Sequence, residues 1–312
     1  MPLEPEVEAI LKQLEGAGGP PLPEMTPEVA REAFAGMLPL QGLPEAVAAV
    51  EDHAVPGPGG NVPVRVYRPE NAGQPSPVVF LIHGGGWVIM DIASHDPLCR
   101  ALANEAGCTV VAADYRRAPE ARFPAAVDDC YAVLQWIARE GAATGIDPER
   151  IAVAGDSAGG NLAAVMALLA RSNGGPGLVG QVLHCPATDS ASDTNSYSDN
   201  ADGYMLTADS MEWFWGHYLG TDGDGSKPDA SPLRARTLAG LPPALVQTAE
   251  FDPLLDDGRV YADRLREDGV PVTYTEYSGM VHDPWLMFGA VPKARLAVDE
   301  AAKFLGQCFA NG

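Results

Sequence analysis

Between Ile151 and Leu169 the chain passes from an apolar, partly β-branched run, through Gly155-Asp156-Ser157-Ala158-Gly159, into a helix-forming run ending Ala167-Leu168-Leu169. A strand that must become a helix within five residues admits only small residues two before and two after the serine. Glycine supplies the backbone freedom that such a turn needs. G-x-S-x-G in this strand–turn–helix setting is a nucleophile elbow, which lifts the serine hydroxyl above the sheet. A plain glycine-rich strand–helix turn has the same five letters. The flanking strand and helix favour the nucleophile reading for Ser157.

The rest of the chain alternates around this turn. Residues 4–15 carry Val7, Ile10, Leu11 and Leu14 at helical spacing, and Thr26-Pro27-Glu28 opens a second helix that runs to about Met37. Two short helices before any strand read as a lid or as an oligomer contact. Residues 50–55 and Val62–Tyr67 flank Pro56-Gly57-Pro58-Gly59-Gly60-Asn61 and predict a hairpin. Val78–Ile82, Thr109–Ala113, 151–154, Gln181–Cys185, Ala244–Thr248 and Val272–Tyr277 follow as strands, most of them continuous apolar runs of the doubly buried kind. Helices are predicted near 97–106, 123–139, 162–169, 256–268 and 293–309. The Ser/Asp/Asn-rich stretch 188–203 and the aromatic helix Met211–Leu219 interrupt the alternation and read as a cap insertion. The fold class is therefore α/β, with a mostly parallel central sheet covered by helices on both faces. On the lid reading, residues 1–48 are an N-terminal helical cap segment. Residues 49–312 form the catalytic domain, with the insertion at about 188–228.

Bulk properties exclude other classes. A net charge of −22 over 312 residues argues against nucleic acid and anionic membrane surfaces as partners. No apolar stretch is long enough to span a bilayer, and Met1-Pro2-Leu3-Glu4-Pro5-Glu6 lacks the basic and apolar regions of a signal peptide, so a cytoplasmic location is the expectation. Cys99, Cys108, Cys130, Cys185 and Cys308 are scattered and read as buried, reduced thiols. No His, Cys and acid cluster has metal spacing, and neither a metal nor a cofactor is expected.

A serine hydroxyl needs a base, and the base needs an orienting acid. Asp252 follows the strand 244–248 and His282 follows the strand 272–277, the order Ser, Asp, His of α/β-hydrolases. Taken singly, Asp252 is also an acid near a helix start and His282 a loop histidine. Asp283 is the weaker competitor as orienting acid. Asp256 and Asp257 read as acids facing a helix dipole. His83-Gly84-Gly85-Gly86 supplies a glycine loop whose N–H groups can face a developing oxyanion, with Gly85, Gly86 and Ala158 as donors, each worth about 3 kcal/mol. His83 reads as a loop-holding residue. Of Trp213, Phe214 and Trp215, one ring lines a pocket or all pack in the core.

Together His83-Gly84-Gly85-Gly86-Trp87, Asp114-Tyr115-Arg116-Arg117-Ala118-Pro119-Glu120, Gly155-Asp156-Ser157-Ala158-Gly159-Gly160 and Asp252-Pro253-Leu254 resemble the hormone-sensitive-lipase-like, bacterial family IV carboxylesterases. The resemblance implies the α/β-hydrolase fold, a helical cap, hydrolysis of short- to medium-chain acyl esters, and frequently dimers, so a homodimer is the implied assembly. It also implies that Asp156 and Asn161 support the elbow. The expected substrate pocket is lined by Trp87, Met90, Met211, Phe214 and Asp283. Met90 and Asp283 stand where such proteins usually carry glycine, and Cys185 stands where tyrosine is common. An amidase, deacetylase or acyltransferase would use the same triad, and a ligand-binding protein would keep the fold without it.

Overall fold

The computed structural model describes residues 2–36 and 38–311. The expected end of the second helix at Met37 lies outside them. Among the described residues eight strands form one sheet: β1 (Ala49–Gly57), β2 (Gly60–Arg68), β3 (Ser76–Ile82), β4 (Thr109–Ala113), β5 (Ile146–Asp156), β6 (Gly180–His184), β7 (Ala244–Phe251) and β8 (Val272–Val281). Their order is β1-β2-β4-β3-β5-β6-β7-β8. The β1–β2 hairpin and the β2–β4 pair are antiparallel, and all other pairs are parallel.

Why the central strands read as unbroken apolar runs is visible in how they divide their side chains. Val78, Phe80 and Ile82 of β3 point into one core, and Val79 and Leu81 into the other. Strands β4 and β5 alternate in the same way. Helices α4 (Ala125–Glu140), α5 (Ala158–Ser172) and α8 (Leu255–Glu267) cover the first face; α3 (Asp96–Ala106) and α9 (Pro292–Asn311) cover the second. Both faces are thus buried, as parallel sheets require.

The N-terminal helices α1 (Pro5–Ala17) and α2 (Pro27–Ala35) divide between the two cores, through Val7 and Ala30. Thr26 caps α2 by accepting the Val29 N–H, as its sequence predicts. Arg31 fixes α2 to the body. Its guanidinium donates to both oxygens of Glu120 at 2.7 and 2.8 Å and to the carbonyls of Val88 and Ala118. The interruption of the alternation holds a short helix, α6 (Asn195–Asp199), and α7 (Ala208–Leu219). Asn161 on α5 donates its amide to the carbonyls of Ala187 and Ala230, both at 2.8 Å, and so clasps the two ends of that insertion. Asp256 and Asp257 open α8 but do more than face its dipole. Asp256 accepts the Ser196 N–H, and Asp257 accepts the N–H groups of Thr188 and Asp189.

Candidate active site

Strand β5 ends at Asp156, and Ser157 stands alone between it and α5 with φ 54° and ψ −118°. A non-glycine residue held at positive φ is strained, and the surroundings must impose it. Here the Ser157 N–H is drawn to the His184 carbonyl at 2.8 Å, while the helix closes on top. A Cβ at Gly159 would lie 1.9 Å from the Ile82 carbonyl, which explains the small residue that the turn demands.

Asp252 lies just beyond β7 and His282 just beyond β8, so adjacent parallel strands deliver both to the same edge. His282 Nδ1 donates to Asp252 Oδ2 at 2.7 Å, and its Nε2 stands 3.0 Å from Ser157 Oγ. Asp252 is wholly buried, while Ser157 and His282 keep 8% and 7% of their surface open, enough to meet a substrate from one side. Cys185 joins this group from the end of β6. Its thiol lies with the Asp252 and His282 ligand atoms, all within 4.8 Å of one another. Residues so far apart in sequence gave no hint of this grouping. Burial, then the Asp252 carboxylate, push the Cys185 thiol far up and keep it protonated.

The glycine loop approaches from β3. Gly85 and Gly86 have φ of 100° and 58°, and their backbone borders the same cavity as Ser157 and His282. Ala158 is the first residue of α5, so its N–H has no partner within the helix. His83 holds the loop rather than the chemistry. Its ring stacks on Tyr115 at 4.2 Å, Nδ1 meets the Gly84 carbonyl at 2.7 Å, and burial lowers it to about 3. Beneath the serine, Asp156 Oδ2 accepts the Gly84 N–H at 3.0 Å and faces His95 Nε2 at 3.1 Å. Burial opposes ionisation there, but His95 and the hydrogen bonds outweigh it and hold the carboxyl at about 2.

Above the serine lies a cavity of about 260 Å³. Met90, Phe214 and Asp283 line it. Trp87 and Met211, expected beside them, do not. Trp87 is fully buried, stacked on Tyr218 at 4.3 Å and tilted against Trp215, and Met211 packs in the core beneath α7. The aromatic run on α7 divides accordingly: Phe214 faces the cavity, Trp215 anchors the helix, and Trp213 packs edge-on against His217. Sequence reasoning missed Leu22, Met25, Phe34, Met205, Leu206 and Leu286, among other residues of the wall. Only Phe34 had a legible signal, as an apolar residue within the second predicted helix.

A family model described as the alpha/beta hydrolase fold matches residues 79–286, from β3 to the loop after His282. The chain belongs to the α/β-hydrolase family. Its motifs put it in the hormone-sensitive-lipase-like, family IV branch. Carboxylesterase NlhH of Mycobacterium tuberculosis is 44% identical over 260 residues, 82% of this chain and 81% of that protein. Carboxylic ester hydrolase LipN of the same organism is 44% identical over 246 residues, 77% of this chain; that stretch spans 65% of LipN, just under two thirds of its length. Among solved structures, an α/β-hydrolase enzyme from the Lake Arreo metagenome superposes with a TM-score of 0.95 at 40% identity, covering 99% of both chains.

Proposed function

We propose that this protein is a serine carboxylesterase that hydrolyses short- to medium-chain acyl esters through an acyl-enzyme. The observation that carries the reading is the hydrogen-bonded series Asp252–His282–Ser157 at the floor of a mostly apolar cavity. The kinship with NlhH and LipN, both carboxylic ester hydrolases by name, supports it. Ser157 Oγ attacks the ester carbonyl while His282 Nε2 takes its proton. The N–H groups of Gly85, Gly86 and Ala158 receive the oxyanion. His282 returns the proton to the departing alcohol oxygen, and the C–O bond of the ester breaks. Water then adds to the acyl carbon while His282 takes its proton; the bond to Ser157 Oγ breaks, the acid departs, and His282 returns the proton to Oγ. Asp252 holds the imidazole in the tautomer that this requires.

In this reading residues 1–48 and about 188–228 are cap, and residues 49–312 otherwise form the catalytic body. Pro21, Leu22, Met25 and Phe34 from the first, and Met205, Leu206, Thr207, Ser210 and Phe214 from the second, border the cavity and support that division. The test is turnover of short-chain aryl esters by Ser157→Ala. Activity is expected to vanish with the circular dichroism spectrum unchanged; turnover at the wild-type rate would overturn the assignment. A series of esters graded by acyl length measures the depth of the cavity.

A further inference from the structure

The residue before the candidate nucleophile and the residue after the candidate base meet underneath the triad. Asp156 is completely buried, and Asp283 is 3% exposed, in a left-handed conformation with φ 59° and ψ 64°. Their carboxyl groups are close enough to act directly on each other. Asp156 Oδ2 has Gly84 N–H and His95 Nε2 as partners, but Asp156 Oδ1 and Asp283 Oδ1 are both buried with no hydrogen-bond partner. Two ionised carboxylates in contact away from water leave acceptor facing acceptor, an arrangement that cannot satisfy either. One proton between them satisfies both.

The surroundings offer no other remedy. The groups facing Asp283 are Asp156 from β5, His184 and Cys185 from the end of β6, Asp252 from the loop after β7, and His282 and the Trp285 N–H from its own loop. None is a lysine or arginine. His184 Nε2 lies 3.6 Å from Asp283 Oδ1, beyond hydrogen-bond reach, and already accepts the Trp285 N–H. Its Nδ1 is used by Gln247 Oε1 at 2.9 Å, so the ring is neutral, and burial lowers it to about 3.

We propose that Asp283 is a positioning residue that carries a proton at working pH and donates it to Asp156, tying the elbow, the histidine loop and the glycine loop to one carboxylate. This rests on the triad reading of Ser157 and His282. Burial, then the Asp156 charge, push the Asp283 carboxyl well above its ordinary range, which agrees. When alkaline pH removes the shared proton, two like charges face each other, Asp283 is driven off, and His282 loses its register with Ser157. Asparagine at 283 tolerates the left-handed backbone and donates N–H at every pH; alanine donates nothing.

The experiment compares kcat and KM of wild type, Asp283→Asn and Asp283→Ala from neutral to alkaline pH. Alanine is expected to lower kcat by up to about 10²-fold, as a small misplacement of reacting groups does, with KM moving much less. Asparagine is expected to restore kcat to within a few-fold and to abolish the alkaline limb of the wild-type profile. Infrared difference spectra on a Ser157→Ala/Asp257→Asn background, which removes the other buried carboxyl that keeps its proton at neutral pH, supply a readout independent of turnover. The carbonyl stretch of a protonated carboxylic acid is expected there and is expected to be missing after Asp283→Asn. An alkaline limb that persists in Asp283→Asn, or spectra without that band, would overturn the proposal. Phosphonate labelling of wild-type Ser157 separates the two claims: no labelling defeats the triad reading, while the infrared band still decides the shared proton.

Discussion

Gly84 donates its backbone N–H to Asp156 Oδ2 at 3.0 Å, so the glycine loop and the serine turn are fastened to each other. A Cβ added at Gly84 would stand 2.1 Å from that same oxygen. Gly84→Ala must therefore push the loop from the turn. The expected result is a fall in kcat of about 10²-fold or more, the scale of a lost oxyanion donor, in a protein that still folds. An unaltered kcat for short aryl esters would show that the loop is held elsewhere.

Asp252 is read as the residue that fixes the His282 tautomer, through the 2.7 Å bond to Nδ1. Asp252→Asn keeps the shape and loses the charge. It is expected to lower kcat by about 10⁴-fold. Steady-state kinetics beside an unchanged thermal melt check this.

Asp257 predicts how stability varies with pH. Burial outweighs the two N–H groups that it accepts and raises its carboxyl to about 8. The folded state thus holds a proton that the unfolded chain, with an ordinary carboxylate, has already released. Unfolding free energy falls as pH rises from the ordinary carboxylate range to about 8, by at most about 1.4 kcal/mol per pH unit from this group. Asp257→Asn keeps the acceptor oxygen and removes the titration. Denaturant midpoints across that window should lose this part of their slope in the variant.

Phe214 presses against the glycine loop closely enough that a Cβ on Gly86 would lie 2.0 Å from its ring. Phe214→Ala is expected to lengthen the acyl chain that gives the highest kcat/KM. It should cost about 3 kcal/mol of stability or less, since one side of the ring already faces a cavity. An unchanged chain-length profile would place the acyl group elsewhere.

Met90 has φ 62°, the left-handed region that glycine occupies without penalty. Met90→Gly should remove a strain of about 1 kcal/mol and widen the cavity together. The expected observations are a melting temperature that falls less than in Met90→Ala, which keeps the strain, and weaker discrimination among acyl chains.

The strands and the three triad candidates were legible because each depends on short-range pattern: apolar runs for β3 and β4, a small-residue turn for Ser157, and positions just past strands for Asp252 and His282. Boundaries were less so. Strand β5 begins at Ile146 rather than Ile151, because Ile146 pairs with Ser76 across a register shift that the polar Asp147-Pro148-Glu149-Arg150 conceals. Helix α6 escaped notice since Asn195-Ser196-Tyr197-Ser198-Asp199 has little helical tendency. Ser196, bonded to Pro253 and Asp256 from outside, holds it. The cavity wall was illegible for a related reason. Which side of α7 faces Ser157 depends on Trp215 docking against Trp87, a contact between residues 128 positions apart, and no periodicity within the helix announces it. The same docking carries Trp87 and Met211 into the core. The meeting of Asp156 with Asp283 likewise arises only when β5 and β8 bring their ends together.

Three of the residues that border the cavity are Met25, Met90 and Met205, which arrive from separate stretches of the chain. Thioether side chains turn easily and fill irregular gaps, so the wall can reshape itself around different acyl groups while the backbone stays still. A container of this kind is tolerant by construction: the reacting atoms are held rigidly and the guest is gripped softly. It is also vulnerable in a specific way. Peroxide would convert those thioethers to polar sulfoxides, and the range of accepted esters would shrink before hydrolysis itself failed.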